Sequence, residues 1–153
     1  MSTVPTGMVE VAPIGVVRVL GSSLAMPVYM LMDEQERNMA VPLTRLESDL
    51  LQHTLDGNID LQQAPQPHRA LISCLEKMSA ALDAVYIHYS SELDMPTRLV
   101  LRSRGGNSFQ VDVPVSDGII FARLTGSPIF VDEELMSAIG ARKETNGRGP
   151  AGG

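Results

Sequence analysis

The chain has 153 residues, 44% of them hydrophobic and 20% charged, a balance that suits one soluble globular domain and excludes a disordered chain. Its net charge of −6 argues against a general nucleic-acid binder, which needs a basic surface to displace phosphate counterions. Three Tyr, three Phe and no Trp leave few aromatic rings for stacking on bases. The single cysteine, Cys74, excludes an internal disulfide and a Cys-rich zinc site. No run reaches the ~18 apolar residues of a membrane span and no basic leader opens the chain, so a soluble, cytoplasmic protein is expected.

Residues 1–7 read as a flexible start. Val9 to Leu20 is rich in β-branched residues and predicts a long strand, bulged at Pro13-Ile14-Gly15 and stopped by Gly21-Ser22-Ser23. Val28–Met32 and Asn38–Leu43 predict the arms of a hairpin joined by the charged turn 33–37. The first arm is apolar on both alternating faces, so each face needs a cover. Helices of the same chain would provide one. Otherwise a second copy would, in a homo-oligomer and most simply a two-fold dimer, through Met26, Val28, Tyr29, Met30 and Leu31.

Thr44-Arg45-Leu46-Glu47 has the form of a capping box and opens a helix expected to end near Asp56 and Gly57, with Leu46, Leu50, Leu51 and Leu55 as its apolar stripe. His53 falls off that stripe. A Pro-containing linker, 62–69, leads to a second helix expected from His68 to Leu82, its stripe Leu71, Cys74, Leu75, Met78 and Leu82. On this reading Cys74 is a buried small hydrophobe and His68 a surface residue.

Ala84–Ser90, Thr97–Ser103 and Ser108–Val113 predict three antiparallel strands, with His88 half-buried in the first. Arg98, Arg102 and Arg104 share one segment, either a solvated strand face or a small positive patch. In the next helix Ser116 is expected as N-cap, Asp117 as complement to the helix dipole and Gly126 as the stop. A short buried strand, Pro128–Val131, precedes a last helix capped by Asp132, with Glu133 and Glu134 in its first turn and Gly140 at its end. Residues 141–153, Gly-rich and without periodicity, read as a disordered tail, leaving 8–140 as the domain. The fold expected is a compact α+β domain with a mixed, largely antiparallel sheet and three to four helices.

The stretch from Ser116-Asp117 through Thr125-Gly-Ser-Pro-Ile-Phe-Val-Asp-Glu-Glu-Leu-Met-Ser-Ala-Ile-Gly140 resembles the C-terminal signature of the bifunctional nuclease family. The hairpin Pro27–Leu43 and the segment Pro65–Met78 fall where that family has a hairpin and a Pro-x-Pro linker with its helix. The resemblance covers about 9–140 and implies a compact, commonly oligomeric α+β domain, named for degradation of DNA and RNA. A nuclease of this kind would draw on Asp112, Asp117, Asp132, Glu133 and Glu134, with a divalent metal such as Mg²⁺ or Mn²⁺ as its expected cofactor.

The chain departs from the family at polar positions. Pro114-Val115 stands where an Arg-Pro is common, and Arg69-Ala70-Leu71 where a Thr-His-Asp is common, so weak cleavage or none is expected. A non-catalytic oligomeric module that binds protein or regulates is the alternative. A third is a small-anion binder, with Arg98 or Arg102 beside the helix start at Ser116 and Asp117.

Overall fold

The computed structural model describes residues 4–20, 25–52, 66–92 and 94–142. Among these residues an eight-stranded mixed sheet, ordered β6-β5-β4-β7-β1-β2-β3-β8, carries four helices. In chain order the strands are β1 (Met8–Leu20), β2 (Ala25–Asp33), β3 (Arg37–Pro42), β4 (Ala81–Ile87), β5 (Thr97–Arg102), β6 (Ser108–Val113), β7 (Ile129–Asp132) and β8 (Ala141–Arg142). The helices are α1 (Arg45–Gln52), α2 (Gln66–Lys77), α3 (Val115–Thr125) and α4 (Glu133–Ile139). β4 and β7 pair in parallel; every other neighbouring pair is antiparallel. The α+β class expected from the sequence is therefore the class found.

The irregularity in β1 falls where the Pro-Ile-Gly run places it. The register against β2 shifts between Pro13 and Gly15, and Gly15 takes φ 141°. The turn between β2 and β3 is built on a buried carboxylate: Asp33 Oδ1 accepts the backbone N–H groups of Gln35 at 3.0 Å and Arg37 at 2.9 Å, while Glu36 turns left-handed at φ 63°.

One large core joins the helices to one face of the sheet. Tyr29, Leu31, Met39, Val41, Val85, Ile87, Leu99, Leu101, Ile129 and Val131 supply the floor. Leu51, Ile72, Ile119, Ile120, Phe121, Leu135 and Met136 supply the helical cover. Alternate residues of the same strands point the other way, and Met8, Ala84, Val100 and Phe130 form a smaller cluster there. Val28, Tyr29 and Leu31 of the doubly apolar strand are all buried within the chain itself, while Met30 and Met32 are half-buried.

The helices correct several expectations. In α1, Leu46 is 82% exposed and Leu51 is the buried anchor; the expected stop at Asp56-Gly57, with His53 and Leu55, lies outside the described residues. Helix α2 begins at Gln66, with Pro67 in its first turn, and ends at Lys77 rather than at Leu82. Ser79 goes left-handed at φ 57° and the chain turns back as β4, where Leu82 pairs with Leu101. Sheet pairing overrides the helix propensity of the Ala80-Ala81-Leu82 run. The buried face of α2 is also rotated. His68 and Ile72, one turn apart, are buried, whereas Cys74 is exposed and Met78 is 66% exposed.

At the far end Ala141–Arg142 pairs with Arg37 and Asn38, so the ordered sheet runs two residues into what reads from sequence as tail. Residues 143–153 lie outside the described residues.

Candidate functional site

The start of α3 is where polar side chains from three helices meet. The N-cap is Pro114, at φ −61°, ψ 150°, not Ser116. A proline there is already set for the helix and leaves no side-chain oxygen to cap it. Ser116 falls inside the first turn, where its hydroxyl is directed outward from its own helix. It donates to Glu47 Oε2 at 2.7 Å.

Glu47 is held in place by the capping box of α1. Its Oε1 accepts the Thr44 N–H at 2.8 Å, and its own N–H donates to Thr44 Oγ1 at 3.2 Å. One carboxylate thus closes the start of α1 with one oxygen and reaches α3 with the other.

Asp117 makes the second link. Its Oδ1 lies 3.0 Å from His68 Nε2 on α2, and the His68 ring stacks obliquely on Phe121 at 4.6 Å between centroids. His68 is only 8% exposed, against the surface position expected from sequence. Its other ring nitrogen, Nδ1, is buried without a hydrogen-bond partner. An ionised Asp117 selects the tautomer with the proton on Nε2 and leaves Nδ1 as acceptor. The Asp117 side chain keeps 32% exposure, and only its Oδ1 is engaged.

Gly118 sets how deep this turn sits. A Cβ there would lie 2.7 Å from Thr97 Cγ2 and 3.1 Å from Val85 Cγ1, so the missing side chain lets α3 rest directly on β4 and β5. At the other end Gly126 closes the helix in the left-handed region at φ 71°, as its position in the sequence predicts.

A second polar cluster lies where the parallel strands β4 and β7 end. Asp132 occupies the N-cap of α4, yet its carboxylate does not bond that helix. Oδ2 accepts the Tyr89 N–H at 2.7 Å, and Oδ1 lies 3.4 Å from His88 Nδ1. Beside it Glu133 receives both terminal nitrogens of Arg37, at 2.8 and 2.9 Å, and the Ser137 hydroxyl at 2.7 Å. These donors hold the Glu133 carboxyl down at about 2, and the same pairing, opposed by burial, raises Arg37 above its ordinary value. Buried Asp33 completes the group through Arg37 Nε at 2.8 Å.

The remaining candidates are separate from α3. Arg98 and Arg102 alternate with Leu99 and Leu101 along β5, so they face away from the helices. Arg98 pairs with Asp112 at 3.1 Å and also donates to Gln110, and Arg102 pairs with Asp83. The anion pocket expected between these arginines and the start of α3 is not formed. Glu134 is exposed on α4. A cleft of about 660 Å³ opens at the other end of α3, lined by Glu10, Pro13, Met32, Glu34, Arg123 and Ser127 among others; it includes the Gly126–Ile129 part of the signature but neither Ser116 nor Asp117.

The donor sets do not suit a divalent metal. Among the described residues no three His, Cys, Asp or Glu side chains are placed to hold one. Both oxygens of Glu47 and one of Asp117 already accept hydrogen bonds, and a metal would have to displace them.

Two layers of helix on sheet, with a Ser-Asp turn gathering a carboxylate and a histidine over the sheet, define an α+β domain whose polar centre is the head of α3. The chain belongs to the bifunctional nuclease domain family, whose model matches residues 29–144. No curated protein matches it. No helix among the described residues is long and apolar enough to cross a membrane.

Proposed function

We propose that this domain cleaves nucleic-acid phosphodiester bonds by acid–base chemistry at the head of α3, with Asp117 as the base and His68 as the group that positions it. The observation that carries the proposal is the Asp117–His68 contact of 3.0 Å at a helix start whose N-cap, Pro114, offers no side-chain oxygen. Membership of the family supplies the substrate class.

The chemistry follows from the geometry. The His68 N–H fixes one oxygen of Asp117 and stabilises its charge, leaving the other oxygen to take a proton from an attacking water or ribose hydroxyl. As the new phosphorus–oxygen bond forms, the bond to the leaving oxygen breaks and that oxygen takes a proton from solvent. Negative charge growing on the phosphate faces the N–H groups at the start of α3. Ser116 and Glu47 keep α1 against that turn. No step is routed through a metal.

A second reading has its own support. Ser116–Glu47, Asp117–His68, Asp132–Tyr89 and Glu133–Arg37 each tie one element to another, and a non-catalytic binding module needs only that. End-labelled single-stranded RNA and DNA, incubated with purified protein in chelator and in Mg²⁺, separate the two. Acid–base cleavage persists in chelator and falls roughly a hundredfold in Asp117→Asn, whose amide oxygen still accepts from His68. Absence of cleavage by the wild-type chain under every condition removes the enzymatic proposal and leaves the binding module.

A further inference from the structure

The sheet ends on one side in β6, six residues long and bonded only to β5. Among the described residues no strand lies beside its outer N–H and C=O groups. The opposite end closes in the two-residue β8. Open edges of ordinary length usually carry charges, above all lysine, or a proline or a bulge, and Ser108-Phe-Gln-Val-Asp-Val113 carries one charge, Asp112, and no lysine, proline or bulge.

The side chains of β6 extend the interior beyond its cover. Phe109 lies opposite Leu101 and Val111 opposite Leu99, both buried in the main core. Val113, on the same face, packs into that core. Helix α3 reaches no further: Phe109 and Val111 are 45% and 40% exposed. The apolar floor therefore runs past the last helix and stops at an open backbone edge.

We propose that β6 is a self-association edge, at which a second copy of this chain adds its own β6 antiparallel about a two-fold axis through Val111. The occupant follows from the strand's own complementarity. With Val111 opposite its symmetry mate, Phe109 faces Val113 of the second copy, so the apolar face meets an apolar face. On the other face Gln110 faces Asp112 of the second copy, a donor amide against a carboxylate, and like charges do not oppose one another. A register centred on Asp112 would set carboxylate against carboxylate and is disfavoured. Pairing joins the two sheets into one and shields Phe109 and Val111 of both copies. The interface uses none of the residues at the head of α3, so it holds whether or not the domain is a nuclease.

The test uses the full chain. Light scattering at micromolar concentration is expected to give twice 16.5 kDa for the wild type and 16.5 kDa for Val111→Lys, with the far-ultraviolet circular dichroism unchanged. Val111 is exposed in the single chain, so a lysine there does not disturb the core, while two lysines across the axis repel. For a readout independent of that variant, Val111→Cys in a Cys74→Ser background is expected to oxidise to a disulfide dimer, and Leu46→Cys in the same background is expected not to. A wild-type mass of 16.5 kDa overturns the proposal, as does a dimer that survives Val111→Lys and gives no disulfide at position 111.

Discussion

Gly118→Ala tests how the head of α3 is seated. In a solvated helix this change gains about 1 kcal/mol from backbone propensity. Here the new methyl would stand 2.7 Å from Thr97 Cγ2, roughly 1 Å inside ordinary carbon–carbon contact. Thr97 is buried and stiff at χ1, and its hydroxyl is bonded to the Met95 carbonyl at 2.9 Å, so it cannot swing aside. Overpacking costs about 1–3 kcal/mol, which outweighs the propensity gain and leaves a net loss of about 1 kcal/mol. In a domain of this size that lowers Tm by about 2–4 °C. Thr97→Ser removes the clashing methyl and keeps the hydroxyl. In that background Gly118→Ala should become neutral or stabilising by up to about 1 kcal/mol. Urea titrations of the four proteins measure the cycle. A single Gly118→Ala variant more stable than wild type by about 1 kcal/mol would show that α3 does not rest on β5 as described.

Ser116→Ala should cost about 1 kcal/mol, through the lost bond to Glu47 rather than a lost N-cap. Urea titration in a Glu47→Ala background distinguishes the two, because the cost vanishes there only if Glu47 is the partner. For the Arg37–Glu133 pair the sign follows from a folded value held below the ordinary one. Glu133 contributes stability above its ordinary 4.5 and loses it as pH falls toward about 2. Arg37→Met should therefore flatten the acid limb of a Tm-against-pH curve, and an unchanged limb would remove the pair from the ledger of acid stability.

Much of this fold was legible because its signals are local. The Thr44-x-x-Glu47 capping box, the Pro13–Gly15 bulge, the β2–β3 turn and the glycine that ends α3 each depend on a few adjacent residues. The face of α2 was not legible. Leu71 and Leu75 sit near the border of two stripes, one completed by Cys74 and Met78 and the other by His68 and Ile72, and only the neighbours of the helix decide between them. The presence of Ile72 one turn after His68 was the available signal. Ser116 was misassigned because a Ser before an apolar run satisfies the N-cap rule, while Pro114 two residues earlier takes that position by its fixed φ. The contacts that make the candidate site join residues 69 and 49 positions apart, Ser116 to Glu47 and Asp117 to His68, and no periodicity records such pairings.

The claim that the Asp117–His68 pair does chemistry is tested most directly by the rate at which His68→Gln cleaves end-labelled single-stranded RNA in chelator, set against the wild type at matched folded fraction. Glutamine keeps an N–H donor but lacks the rigid ring packed on Phe121, so it no longer holds the Asp117 carboxylate in one orientation. The rate should fall by roughly a hundredfold. A folded His68→Gln protein that cleaves within about twofold of wild type would contradict it.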